Sequence, residues 1–145
     1  MDETLIIKNF GPIKSVELKL KRFNILIGEQ ATGKSTVAKV LAVCRYFSYL
    51  QPTDGDVFDS FQQGLSAWGL SEHVQFEKTT IEYTCDDYSF KALHVLEKDY
   101  DDEGNELGPY PVFRTSLTPL SDKFNHLLLE LEKINPSNKR LYASY

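Results

Sequence analysis

An α/β fold with an antiparallel β portion follows from three features of this 145-residue chain. Val16, Leu18 and Leu20 alternate with Glu17, Lys19 and Lys21, the period of a half-buried strand, and a period of two returns between Val74 and His94. Apolar residues recur at helical spacing from Lys34 to about Leu50, from Val57 to Ala67 and from Thr118 to Ile134. Between the first strands and the first helix, the apolar run Phe23 to Ile27 feeds Gly28-Glu29-Gln30-Ala31-Thr32-Gly33-Lys34-Ser35. That octet fills every fixed position of G-x-x-x-x-G-K-[ST], in the strand-then-helix setting in which this spacing wraps a phosphate.

In chain order, Leu5 to Asn9 reads as a short strand closed by the Phe10-Gly11-Pro12 turn. It should pair antiparallel with the strand carrying Val16, Leu18 and Leu20. Phe23 to Ile27 is nearly continuous in apolar residues, as expected of a strand covered on both faces in a parallel or mixed sheet. The first helix is expected from Gly33 or Lys34 to Ser48–Leu50, burying Val37, Val40, Leu41 and Cys44. A second, shorter helix is expected over Val57–Ala67, with Trp68 in the core and a stop at Gly69.

Three meander strands follow, around Val74 and Phe76, Ile81 to Cys85, and Tyr88 to His94, with turns near Lys78 and at Asp86-Asp87. Asp99 to Gly104 reads as an acidic hairpin turn. It places Asp99, Asp101, Glu103 and Gly104 as a calcium loop would, but Tyr110 stands where the bidentate Glu belongs, so a solvated turn is favoured. Pro109 and Pro111 confine the next extended segment, Tyr110 to Phe113, to an edge or a loop. Thr118 should cap a last helix with Pro119 at its first position, running to Asn135-Pro136, before Leu141 to Tyr145 begins a strand.

Composition narrows the function. At 41% hydrophobic and 12% aromatic residues, the chain has material for one domain with a real core. A net charge of −5 argues against a broad surface that tracks a nucleic-acid backbone. The basic cluster Lys8, Lys14, Lys19, Lys21 and Arg22 alternates with apolar residues as any wet strand face does. No run approaches the roughly 20 apolar residues needed to cross a bilayer. Met1-Asp2-Glu3 opens without a signal core, so a cytoplasmic protein without a membrane partner is expected. Cys44, Cys85, His73, His94 and His126 show no metal-ligand spacing, so any metal should arrive with a nucleotide.

The phosphate-loop octet and the residue after it supply the candidate site. Gly28 and Gly33 let the backbone wrap a phosphate, and the loop N–H groups with those of the following helix offer donors and a partial positive end. Gln30, Ala31 and Thr32 form the loop's crest. Lys34 brings a full charge between β- and γ-phosphates and is the candidate catalytic residue; Ser35 is the candidate Mg²⁺ ligand, and Thr36 a donor to the α-phosphate. Hydrolysis further requires a second acidic Mg²⁺ ligand and a group that positions the attacking water, and neither is recognisable in this sequence.

Leu5-Ile6-Ile7-Lys8-Asn9-Phe10-Gly11-Pro12-Ile13, a second strand, and then Phe23 to Thr36 resemble the N-terminal lobe of ABC-class ATPase heads. The likeness is nearest to the SMC and recombination-repair group and to the AAA-type ATPases of phage-defence and overcoming-lysogenisation systems. It covers about the first third of the chain. Gln30-Ala31-Thr32 departs from the usual Asn-Gly-Ser of that group, with Gln30 keeping a side-chain amide and Ala31 placing a Cβ where glycine is common.

The resemblance implies a P-loop NTPase fold of ABC-head type, ATP and Mg²⁺ as cofactors, and a homodimer of heads that sandwiches ATP. It also implies DNA or an associated nuclease as partners through parts outside this chain. The second-lobe signatures of such heads are not present after Leu50, so the chain reads as an incomplete lobe. Residues 1–50 would hold the strands, phosphate loop and first helix, 51–117 an inserted helix plus meander, and 118–145 a helix and the start of a strand. Two other readings of the loop stay open: a small phosphotransferase, and a non-enzymatic interaction domain with a vestigial loop.

Overall fold

A computed structural model describes residues 2–45 and 57–134 of the chain. Five strands form one sheet in the order β2-β1-β3-β4-β5: β1 (Glu3–Phe10), β2 (Ile13–Leu20), β3 (Thr80–Thr84), β4 (Tyr88–Tyr100) and β5 (Glu106–Pro119). Every pairing is antiparallel. Three helices, α1 (Lys34–Arg45), α2 (Val57–Ala67) and α3 (Asp122–Ile134), complete the described elements together with a single 3-10 turn at Ser71–His73.

The strands alternate as their sequences require. Leu5 and Ile7 of β1, Ile81 and Tyr83 of β3, and Phe90 and Ala92 of β4 are all buried and stand in register on one face. Thr4, Ile6 and Lys8 point to the other face, where Glu82 and Lys91 pair across strands at 3.0 Å. The three helices cover the apolar face. Phe61 of α2 packs on Phe90 and Phe113, and Tyr88 stacks on Phe124 of α3 while its hydroxyl donates to the Cys44 carbonyl of α1 at 2.7 Å. Helices α1 and α2 meet closely, since a Cβ on Gly64 would lie 2.9 Å from Val43 Cγ1.

Several expectations hold: the β1–β2 pair, the start of α1, the bounds of α2, strand β3, and the burial of both cysteines. Burial pushes the Cys44 thiol well above its ordinary range, so it is a core group. The far end of the first helix and the strand over 141–145 lie outside the described residues.

Four expectations are corrected. The strand expected at Phe23 to Ile27 is not one among the described residues: Phe23, Ile25 and Ile27 are 82%, 85% and 89% exposed. Asn24 turns the chain away as it leaves β2, accepting from Lys21 N at 2.9 Å and donating to Lys21 O at 2.7 Å. A strand apolar on both faces needs neighbours on both flanks, and the described sheet offers none. Val74 to Phe76 makes an isolated bridge from Val74 to Phe10 followed by a turn, because the 3-10 turn before it leaves no room for a ladder.

The extended segment expected at Tyr110 to Phe113 is borne out within a 14-residue strand at one edge of the described sheet, but Thr118 and Pro119 belong to that strand, paired with Ser89 and Tyr88, and do not start a helix. Ser121 caps α3 instead, accepting from Phe124 N at 3.1 Å and donating to Asp87 Oδ1 at 2.9 Å. Trp68, expected in the core, is 49% exposed beyond the last turn of α2.

His94 tests this packing. Its ring lies against Phe113 and Phe76, its Nδ1 accepts from Glu77 N at 3.0 Å, and desolvation holds its pKa below the ordinary 6.5. The unfolded chain therefore binds more protons than the fold, and stability should fall as pH drops through about 6.5. Urea midpoints at pH 7.5 and 5.5 should show that loss, and His94→Gln, which keeps an acceptor but does not titrate, should reduce it.

Candidate phosphate-binding site

The site begins at the β1–β2 turn. Asn9 and Gly11 both adopt positive φ, 54° and 52°, which lets the chain reverse in the space of Phe10-Gly11-Pro12. The segment 73–79 latches this turn. Gly11 N donates to His73 O at 2.7 Å, Asn9 Nδ2 donates to Lys78 O at 3.1 Å, and Thr79 Oγ1 donates to the Asn9 carbonyl while accepting from Gln75 N at 2.7 Å. A side chain at Gly11 would strike the His73 ring at 2.7 Å.

The turn in turn abuts the loop. Gly33 stands at φ 97°, and a Cβ there would lie 2.8 Å from Ile13 Cγ1 and 3.5 Å from Pro12 Cγ. Glycine is required at this position for two independent reasons, backbone angle and contact. The loop closes on itself through Thr32 Oγ1, which donates to Glu29 O at 2.8 Å. Lys34 Nζ reaches back into the same cradle, donating to Gly28 O at 2.6 Å, to Glu29 O, and to Thr32 Oγ1 at 3.3 Å.

Helix α1 starts at Lys34, and its first intrahelical bond runs from Val37 N to Gly33 O at 2.9 Å. The N–H groups of Lys34, Ser35 and Thr36 therefore have no partner within the helix. No acidic residue in the first turn offsets their partial positive charge. Ser35 is exposed at the mouth, Thr36 is buried at 6% exposure, and Gln30, Ala31 and Thr32 are exposed along the crest. The fold thus gathers all eight sequence-predicted residues, Gly28 and Gln30 to Thr36, into one loop and helix start. A cavity of about 520 Å³ opens beside them, walled by Lys14, Val16 and Leu18 of β2.

This arrangement fits a phosphate chain. It combines a glycine cradle that a Cβ would fill, one mobile cation already drawn to the loop's carbonyls, and a helix N-terminus with spare donors. Ser35 is placed where its hydroxyl would ligate a phosphate-bound Mg²⁺. Among the described residues no group of three or more His, Cys, Asp or Glu comes together to hold an ion independently.

Two features escaped sequence reasoning. The bracing of the loop by Pro12 and Ile13 was signalled only by turn residues that tolerate positive φ. The second is a polar cluster at the far end of α1, where Arg45 Nη2 pairs with the buried Glu3 carboxylate at 2.6 Å beside Tyr83. The hydrogen bond to Glu3 raises the Arg45 pKa, and desolvation chiefly raises that of the Tyr83 phenol. These residues line a larger cavity of about 730 Å³, yet it carries both signs of charge, and Arg45 at its wall lies about 17 Å along the helix from Lys34. The smaller cavity, which adjoins the loop and the start of α1, is therefore the candidate phosphate site.

Ala31, at φ 63°, occupies left-handed space that costs an alanine roughly 1–2 kcal/mol. Ala31→Gly should therefore leave stability within about 1 kcal/mol of wild type or raise it. Gly33→Ala should cost about 1–3 kcal/mol through strain and contact with Ile13. Urea denaturation of the pair checks this opposite behaviour, and equal losses would contradict it.

Comparisons with curated proteins and with solved structures found no match. Residues 1–142 match the family model described as AAA ATPase domain, which spans nearly the whole chain and takes in the loop, its bracing turn and the full sheet. An α/β protein with a five-stranded antiparallel sheet and a phosphate cradle at the head of its first helix, the chain belongs to the AAA ATPase domain family.

Proposed function

We propose that the chain binds ATP·Mg²⁺ through Gly28 to Thr36, as the N-terminal lobe of an ABC-type ATPase head. The observation that supports this reading is that one loop and helix start carry the Lys34 ammonium, bonded to the Gly28 carbonyl, the glycine required at 33, and the N–H groups of Lys34, Ser35 and Thr36 that have no partner within the helix. Lys34 would leave the Gly28 and Glu29 carbonyls for the β- and γ-phosphates. That exchange replaces one set of oxygen partners by a charged one and strengthens the contact. Backbone donors of the loop would hold the β-phosphate, Thr36 N–H the α-phosphate, and Ser35 Oγ the metal. The metal would supply charge neutralisation across the terminal phosphates. The nucleoside would lie toward Val16 and Leu18 in the adjoining cavity.

The finer family reading is likewise ours. The β1 turn, second strand and loop favour the SMC and recombination-repair type, similar to ATPases of phage-defence and overcoming-lysogenisation systems. The exposed Phe23 to Ile27 segment supports a lobe whose flanking strands come from a second lobe. In this reading 1–50 carries the site, 51–117 is an insertion and 118–145 returns the chain toward that lobe. Two heads would sandwich ATP, with DNA or a nuclease engaged through other parts, in the cytoplasm. The acidic metal ligand and the water-positioning group would come from the second lobe and the partner head, so the chain alone should bind ATP with little hydrolysis.

Thermal unfolding with ATP and Mg²⁺ tests the core of this. At about 100 times the dissociation constant, binding adds about 2.7 kcal/mol, a rise of several degrees in Tm for a domain of this size. Lys34→Ala should abolish the shift while leaving the ligand-free Tm close to wild type, because among the described residues the Lys34 ammonium bonds to Gly28, Glu29 and Thr32 of the exposed loop. No shift in wild type, or an equal shift in the variant, would contradict the assignment.

A further inference from the structure

Strands β4 and β5 run far beyond the sheet they belong to. The ladder with β3 ends at Thr80↔Leu93, whereas β4 and β5 remain paired out to Tyr100↔Glu106. Residues 95–112 therefore form a two-stranded ribbon roughly 20 Å long that stands off the body. Free ribbons of this kind are marginal in water, and this one is fastened at its tip. Asp101 Oδ1 accepts from Asn105 N at 2.8 Å and from Glu103 N at 3.0 Å, and Oδ2 accepts from Asn105 Nδ2 at 3.1 Å. Lys98 pairs with Glu106 at 2.9 Å across the strands, and Arg114 with Glu97 at 3.4 Å near the root.

The surface of this ribbon is unusual for a solvated hairpin. Leu107, 47% exposed, and the exposed Tyr110 share one face with Glu97 and Asp99, while Tyr100, 61% exposed, and Leu96 stand on the other. Around them stand six carboxylates, at 97, 99, 101, 102, 103 and 106, against one ammonium, Lys98. The outer edge of β5 carries Pro109 and Pro111, which have no N–H to give, so the ribbon is blunted against strand addition and presents side chains instead.

We propose that the β4–β5 ribbon is a docking arm for a protein surface that combines an apolar recess with a Lys/Arg-rich rim. Leu107 and Tyr110, which the register places on one face of the ribbon with Asp99, fill the recess, and the carboxylates at 99, 102 and 103 face the rim. Charge selects the occupant. A nucleic-acid backbone is repelled by the same carboxylates, and a second copy would bring an equally acidic arm to an already acidic chain of net charge −5. The arm's role is independent of the nucleotide assignment.

Photocrosslinking in cells tests the arm on the whole protein, with p-benzoylphenylalanine in place of Tyr110, of Leu107, and of Thr84 on the body of the sheet as a control. Adducts from both arm positions, and not from the control, should map to a Lys/Arg-rich segment of one protein. With that protein purified, D99N/D102N/E103Q and Leu107→Ala should each weaken binding at least tenfold, with unchanged Tm, and salt should weaken wild-type binding. Adducts to nucleic acid, lipid, a second copy or many unrelated proteins would overturn the proposal. So would the absence of arm-specific adducts, or affinities that the substitutions leave unchanged.

Discussion

The contact between Gly33 and the Pro12-Ile13 corner is the constraint on which the site depends. The loop has no hydrogen-bonded ladder to hold it, and most of its residues are exposed. Its shape comes instead from a neighbour that is rigid for its own reasons. The β1–β2 turn is fixed by two positive-φ residues and by hydrogen bonds to 73–79, far away in sequence. Ile13, buried at 6% exposure, transmits that rigidity to Gly33. A phosphate cradle formed in advance spares the ligand the entropy of ordering it. The antiparallel sheet is thus part of the site, although none of its residues belongs to the phosphate-loop signature.

The sequence made the loop legible because each phosphate-binding device has a fixed residue type at a fixed spacing. Periodicity likewise revealed α2, β1 and β2, since each buries one clean face. It was less informative for β4 and β5. Beyond the body no face is buried, so the pattern from Leu96 to Tyr110 has no period to read, and the prolines there left an edge strand and a loop both open. Thr118-Pro119 imitated a helix start, and only pairing with Tyr88 and Ser89 shows that the strand continues through it. The bracing of Gly33 was invisible because a long-range contact leaves no local signal beyond a tolerance for positive φ.

Phe23 to Ile27 shows a different kind of failure. Its apolar run reads as material for a strand buried on both faces, yet it forms no strand and Phe23, Ile25 and Ile27 are more than 80% exposed. Sequence reports what a segment needs, whereas burial depends on whether neighbours are there to supply it. The segment joins β2 to the phosphate loop, so whatever strands come to flank it would act directly on Gly28. Any ordering of this segment is therefore coupled along the chain to the loop that begins at Gly28. The ribbon of β4 and β5 lies outside that coupling and is held by its own turn and ion pairs.

Amide hydrogen exchange, with and without saturating ATP·Mg²⁺, tests the central claim most directly. A preformed cradle that donates its N–H groups to phosphates predicts slowed exchange confined to Gly28 through Thr36 and the start of α1, with the ribbon at 95–112 unchanged. Exchange left unaltered across the loop, or protection centred instead on the Arg45, Glu3 and Tyr83 cavity, would contradict it.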